Sequence, residues 1–159
     1  MNIGILHGIL IGTLSILYLY FIAKMQKWYF HKLFNYKLNN SVLTIYIGSL
    51  IMSLINLYYF SDLATQAFLF FANSSSFMEA LEYSAIYFVI AFILSILLFR
   101  FSFLFVGFLT AENELAELAK DNRELAIMHA FVVIGLSIIL GPSLVIIASD
   151  YIPYSEIAN

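Results

Sequence analysis

The sequence predicts an all-α, polytopic membrane protein with four transmembrane helices arranged as two tandem, parallel helical hairpins. Three observations lead to this class. First, 63% of the 159 residues are hydrophobic and only 11% are charged, whereas a soluble domain carries about 25% charged residues. Second, four apolar runs reach the roughly 20 residues that a helix needs to cross a bilayer. Third, these runs lack the alternation of apolar and polar residues that marks the strands of a membrane barrel.

The four apolar runs form a single predicted transmembrane domain that covers residues 1–159. The predicted helices span residues 3–23, 41–60, 84–109 and 125–149. No Lys or Arg precedes the first run, and Lys24 and Lys27 follow it, so we expect a retained helix rather than a cleaved signal. A shorter apolar stretch at 63–71 is either an interfacial segment or an extension of the second helix.

Basic residues predict the orientation of the helices. Four lysines lie in the connection 24–40, and Lys120 and Arg123 lie in the connection 110–123. The middle connection and the C-terminal tail contain no Lys or Arg. Because positive residues collect on the cytoplasmic side of short loops, we expect both basic connections to be cytoplasmic and both termini to be non-cytoplasmic.

The two halves of the chain show weak internal similarity. A shift of about 82 residues aligns Asn40 with Asn122 and Tyr18 with Arg100, and it aligns the first helix with the third. Two hairpins of the same orientation are parallel repeats, related by an axis along the membrane normal. The shift therefore predicts a tandem duplication.

Small and polar residues form stripes on two of the predicted helices. The first helix carries glycines at a spacing of four, and the second carries polar residues on one face: Gly4, Gly8, Gly12, Ser49, Ser53 and Asn56. Small residues at this spacing let two helix backbones approach closely. The stripes predict either helix packing within one protomer or an interface between subunits.

Arg100 is the formal charge that lies well inside a predicted span. One interpretation is a side chain that extends to the cytoplasmic interface, and the other is a charge that faces the bundle interior and marks a site or a pathway. Tyr18, Tyr46 and His129 lie at nearly the same predicted depth, about 10 Å from the cytoplasmic helix ends. One interpretation is that these are four unrelated residues. The other is a candidate intramembrane polar layer of Arg100, His129, Tyr18 and Tyr46 that suits a lipid phosphate or a permeating anion.

The connection 110–123 is dense in charge and contains a predicted capping box from Asp121 to Glu124. It is either a solvated turn or a docking segment for a cytoplasmic partner. The sequence contains no Cys, and its three His residues lack metal-ligand spacing. Phosphate-binding loops, nucleophile motifs and basic nucleic-acid surfaces are missing as well. We therefore predict no catalytic residues, no metal, no cofactor and no nucleic-acid partner.

The second half of the chain resembles a bacterial four-helix inner-membrane family known as domain of unknown function 350. The resemblance rests on Leu109, on Ile127 and on five further positions: Thr110, Glu114, Asn122, Ala126 and Gly135. The sequence departs from the family at Asp121, where the family has Gly. The resemblance implies two helical hairpins in the cell inner (cytoplasmic) membrane, and it implies no particular activity.

Three functional classes are compatible with these features. We expect a non-catalytic, oligomeric subunit or scaffold of a membrane assembly, whose partners are the lipid bilayer and either further copies or other membrane subunits. The alternative is a small oligomeric channel or transporter for an ion or small solute. A membrane enzyme ranks last because no nucleophile–base pair is visible in the sequence.

Overall fold

The computed structural model of the chain describes residues 3–34, 39–74, 77–110 and 113–150. The helices are α1 (Ile3–Leu33), α2 (Asn40–Ser74), α3 (Phe77–Thr110), α4 (Glu114–Ala119) and α5 (Arg123–Ser149). All regular secondary structure within the described ranges is helical. The four long helices have the length and apolar composition needed to cross a membrane, which confirms the prediction of an all-α protein with four such helices.

The long helices extend well beyond the predicted apolar runs. At a rise of 1.5 Å per residue, α1, α2 and α3 are each about 50 Å long, which exceeds the roughly 30 Å of a bilayer core. The prediction of a loop at 24–40 was wrong for residues 24–33, which continue α1 because they contain no helix breaker and bury Gln26 and Phe30. The stretch 63–71 extends α2.

The starts of α3 and α4 lie outside the predicted apolar runs. α3 begins at Phe77, before the predicted run 84–109. The connection 110–123 contains the short helix α4. Asn113 begins α4, because its side-chain oxygen accepts a hydrogen bond from the backbone N–H of Ala116 at 3.3 Å.

Consecutive long helices run in opposite directions, and α2 is central. It packs most extensively against α3 and α5, and α1 packs against α2 and α3. The start of α2, the end of α3, the whole of α4 and the start of α5 lie at one end of the bundle, which we call the α4 end. The backbones of α2 and α5 approach closely at Gly48, where an added Cβ would lie 2.8 Å from that of Ala130.

Two apolar clusters fill the bundle. The cluster at the end opposite α4 contains Phe60, Phe68 and Tyr87. The cluster at the α4 end contains Phe30, Phe99 and residues of α4 and α5. Aromatic rings pack edge to face there, with the ring centroids of Phe30 and Phe99 5.4 Å apart. The polar side chains of the interior lie between these two clusters and beside them.

The α4 end is held together by caps that connect α2 to the α4–α5 turn. The side chain of Asn39 accepts a hydrogen bond from the Val42 N–H at 2.8 Å and donates one to the Leu118 carbonyl at 2.7 Å. Asp121 accepts a hydrogen bond from the Ser41 N–H at 2.8 Å. These contacts fix the start of α2 against the turn that precedes α5.

The cap of α5 differs from the predicted capping box. Asn122, rather than Asp121, accepts the hydrogen bond from the N–H of Leu125, at 3.1 Å. Asn39 caps α2 in the same way, because its side-chain oxygen also accepts a hydrogen bond from the backbone N–H three residues later. The cap of α2 that corresponds to Asn122 is therefore Asn39, one residue before the predicted equivalent Asn40, so the two caps are 83 residues apart.

Candidate functional site

A buried ionisable pair lies at the α4 end, between α3, α4 and α5. The carboxylate of Glu114 contacts His129 Nδ1, and His129 Nε2 lies 2.9 Å from the Ser102 hydroxyl. His129 and Ser102 are fully buried, and Glu114 is 6% exposed. The ring of Phe103 packs against the imidazole, with the centroids 4.2 Å apart. This places a carboxylate against His129, whereas the connection that contains Glu114 was predicted to be either a solvated turn or a docking segment for a cytoplasmic partner.

The fold brings Glu114 inward because α4 folds back against the bundle. Leu118, one turn further along α4, is fully buried in the apolar cluster of the α4 end. Residues four apart lie on the same face of a helix, so burial of Leu118 turns Glu114 toward α5. Glu117 points outward, where its hydrogen bond from Lys120 lowers the pKa of its carboxyl group.

The order Ser102–His129–Glu114 matches the connectivity of a nucleophile, a base and an orienting carboxylate. The surroundings of Ser102 do not match that use. Its hydroxyl is fully buried, lies on the inner face of α3 and bonds to the Phe99 carbonyl at 2.7 Å. The hydroxyl is therefore not presented to a substrate in this arrangement.

A second polar network crosses the bundle and joins all four long helices. Its members are almost completely buried: Tyr18 and Gln26 of α1, Ser49, Ser53 and Asn56 of α2, Ser95 of α3 and Ser137 of α5. Gln26 accepts a hydrogen bond from Ser49 at 3.0 Å and donates one to Ser53 at 3.1 Å. Tyr18 bonds to the Ser53 carbonyl at 3.0 Å and to the Ser95 hydroxyl at 2.7 Å.

The same network continues from α3 to α5 through α2. Asn56 donates a hydrogen bond to Ser95 at 2.9 Å and accepts one from Ser137 at 2.6 Å. Polar side chains that bond across helices hold membrane bundles together, since lipid offers no competing partners. The network therefore fixes the four helices in one register and satisfies its own polar groups.

The four residues of the predicted polar layer lie in different surroundings. Tyr18 belongs to the network that joins the four helices, and His129 belongs to the pair with Glu114. Tyr46 is partly buried, with its ring edge-on to that of Phe30 at 5.8 Å. Arg100 is exposed on the outer side of α3. The structure thus separates the four side chains. Ser102 is the α3 residue that faces His129, and Arg100 lies on the opposite face of α3.

The two predicted small-residue stripes differ in their environment. Gly4, Gly8 and Gly12 lie on an exposed face of α1, and a Cβ added at Gly8 or Gly12 would meet nothing within 4 Å. The α2 stripe of Ser49, Ser53 and Asn56 faces inward and forms the network described above. Gly8 and Gly12 therefore do not pack against another helix within the described part of the chain.

The family-motif positions contribute mainly to the α4 end. The hydroxyl of Thr110 bonds to the Val106 carbonyl at 3.0 Å, and Ala126 is fully buried. Gly135 is partly buried, with open space beside its Cα. Asp121, where the resembled family has Gly, has a φ of 65°, which is the left-handed region that glycine adopts without strain.

Several buried polar residues of the interior were not predicted from the sequence. Gln26 was assigned to a loop, and Ser95, Ser102 and Ser137 were not singled out. A signal for the α3 serines exists, because Ser84, Ser95 and Ser102 recur at multiples of three to four residues in an otherwise apolar helix. That spacing places them on one face, and all three are buried.

Within the described ranges, no group of three or more His, Asp or Glu side chains is arranged to hold a metal ion. Comparison of the chain with protein-family models, with curated proteins and with solved structures finds no match. The resemblance to domain of unknown function 350 therefore stays a prediction.

Proposed function

We propose that the chain is a non-catalytic membrane subunit that assembles with further copies of itself through α1. The observation that carries this proposal is the exposed glycine stripe. Gly4, Gly8 and Gly12 form a helix-contact motif on an exposed face of α1, and a Cβ added at Gly8 or Gly12 would meet no atom of the described residues within 4 Å. A stripe of this kind allows the backbone of a second helix to approach closely, and α1 of another copy provides the same stripe.

The interior of the bundle supports a structural role. The buried polar side chains of α1, α2, α3 and α5 bond to one another. A solute path through one protomer would have to break this network, at a cost of about 1–3 kcal/mol for each buried group left unsatisfied. Assembly through the outer surface leaves the network intact.

The orientation belongs to the same proposal. Exposed Lys24, Lys27 and Lys32 lie along the last third of α1, and Lys120 and Arg123 lie near α4. All of these residues are nearer to the α4 end than to the opposite end. By the positive-inside rule, the α4 end is cytoplasmic in the cell inner membrane, both termini are non-cytoplasmic, and the outward charges of α4 are available to a cytoplasmic partner.

The test replaces glycine with leucine at matched positions. Gly8→Leu places a large side chain in the proposed contact, and Gly135→Leu adds the same side chain on α5, where space is also open. Native mass spectrometry of the purified protein should show an oligomer for the unaltered chain and for Gly135→Leu, and a monomer for Gly8→Leu. A monomeric unaltered chain, or an oligomer that Gly8→Leu leaves intact, would contradict the proposal.

A small oligomeric channel or transporter is the second candidate. The observation that favours it is the buried Glu114–His129 pair, since ionisable residues inside membrane bundles often belong to proton pathways. Proton uptake by liposomes that contain the protein, driven by a membrane potential, measures this activity. Uptake that disappears in the Glu114→Gln variant would establish it and displace the structural role.

A further inference from the structure

Arg100 is an exposed cation in the second half of the long apolar helix α3, with two grooves beside it. It lies ten residues before the end of α3, about 15 Å from that end, and is exposed on the outer side of the bundle. Within the described residues it makes no hydrogen bond or ion pair. An uncompensated guanidinium inside a membrane is unfavourable, so an external anion that reached it would be bound favourably.

The first groove leads from Arg100 to the α4 end. It encloses about 490 Å³ between α1, α3 and α4, and its walls include Tyr29, Phe103, Gly107 and Asn113. Glu114 also lines it, but the carboxylate of Glu114 is already bonded to His129. Arg100 is therefore the unpaired charge of this groove, and the groove gives a polar group a route from the α4 end to the guanidinium.

The second groove runs from Arg100 in the opposite direction, between α3 and α5. It encloses about 460 Å³, and the other residues along it are apolar, among them Leu94, Leu97, Leu140 and Leu144. Arg100 and Leu104 line both grooves. Arg100 thus lies where a groove that contains Asn113 and Glu114 meets a groove lined mainly by leucines.

We propose that these two grooves together bind one anionic phospholipid. Its phosphate bonds to the Arg100 guanidinium, its headgroup occupies the groove that leads to the α4 end, and an acyl chain lies along Leu97 and Leu140. Arg binds phosphate oxygens through two parallel N–H donors. The exposed lysines of α1, at residues 24, 27 and 32, add a positive potential that favours a lipid of net negative charge over a zwitterionic one.

The experiment counts phospholipids that remain bound to the purified full-length chain. The protein is delipidated in detergent and incubated with phosphatidylglycerol, and the lipid adducts are then measured by native mass spectrometry. We expect one tightly retained phosphatidylglycerol per protomer, and a weakening of at least about tenfold in Arg100→Gln, because the two charge-assisted hydrogen bonds of the guanidinium are lost. Arg123→Gln removes the same charge from the exposed start of α5 and should leave retention unchanged.

Two further measurements distinguish a lipid from other anions and keep the proposal testable if Arg100→Gln does not fold. Leu97→Trp fills the apolar groove without changing any charge, and it should release the lipid. Phosphatidylcholine, which has no net charge, should bind more weakly than phosphatidylglycerol. Retention that is equal in Arg100→Gln and the unaltered chain, retention that Leu97→Trp does not lower, or complete displacement by inorganic phosphate would each overturn the proposal. Because the readout is lipid per protomer, its result is independent of the oligomeric state.

Discussion

The Glu114–His129 pair allows a quantitative prediction about stability. Replacement of Glu114 by leucine keeps most of the side-chain volume and removes the hydrogen-bond acceptor of His129 Nδ1. His129 is fully buried, with the Phe103 ring against its imidazole, so water cannot replace the lost partner. Leaving a buried hydrogen-bonding group without its partner costs about 1–3 kcal/mol, and we expect Glu114→Leu to fall in that range.

The control is Glu117→Leu, the same substitution one turn along α4. Glu117 is bonded to Lys120 at 2.6 Å on the outer side of α4, and exposed pairs of this kind contribute little to stability. The free energy of unfolding is measured by titration with sodium dodecyl sulfate in mixed micelles, followed by circular dichroism. A loss for Glu114→Leu no larger than that for Glu117→Leu would refute the assignment of a buried pair.

A double variant separates the pair from the packing around it. Glu114→Leu combined with His129→Phe replaces both partners with apolar side chains, and Ser102 keeps its bond to the Phe99 carbonyl. Replacing a whole buried pair by apolar residues is often neutral. We therefore expect the double variant to be more stable than Glu114→Leu alone, and a loss equal to the sum of the two single losses would contradict this reasoning.

Three other predictions concern packing, pH and orientation. Gly48→Ala should destabilise the bundle by about 1–3 kcal/mol because its Cβ overlaps α5, whereas Gly12→Ala should not destabilise it, and both are measured by the same titration. The hydrogen bond from a backbone N–H at the start of α2 lowers the pKa of Asp121. The stabilisation that the Asp121 carboxylate provides is therefore complete above the ordinary aspartate pKa of about 3.9 and is lost as the pH falls through the lowered pKa. In an Asp121→Asn variant, the free energy of unfolding should depend less steeply on pH in the acid range. Cysteines at Lys32 and Met78, both exposed and near opposite ends of the bundle, should react with an impermeant maleimide from opposite sides of the membrane, and reaction from one side would contradict the orientation.

The sequence was sufficient to predict the four helices because their apolar runs are long and nearly uncharged. It was insufficient at their ends. Residues 24–33 contain three lysines and a Trp, which hydropathy assigns to a loop. In the structure these side chains face outward while Gln26 and Phe30 face inward, and an amphipathic segment of this kind continues a helix beyond the apolar run.

The candidate site could be predicted only in part, because its members come together through tertiary packing. His129 was recognised by its depth in the fourth apolar run. Glu114 precedes that run by more than ten residues, and nothing in the local sequence indicates that α4 folds back and buries it. Its burial follows from the docking of Leu118 against the α4-end cluster, which is a contact between elements that sequence periodicity does not encode.

The interior network shows the same limit. Ser49, Ser53 and Asn56 share a face of α2, so their spacing predicted a stripe. Their partners on α1, α3 and α5 depend on how those helices are rotated, and weak amphipathicity leaves the rotation undetermined when all faces of a helix are apolar.

Cysteine cross-linking in native membranes tests the central claim, assembly through α1, most directly. The natural chain contains no Cys, so a single Gly8→Cys substitution provides one unambiguous site. Close approach of two α1 helices predicts efficient formation of a disulfide-linked dimer by Gly8→Cys under mild oxidation, and much less by Gly135→Cys on α5. Equal or negligible cross-linking at the two positions would contradict the account, and a cross-link from Gly8→Cys to a different protein would identify another membrane subunit as the partner instead of a second copy.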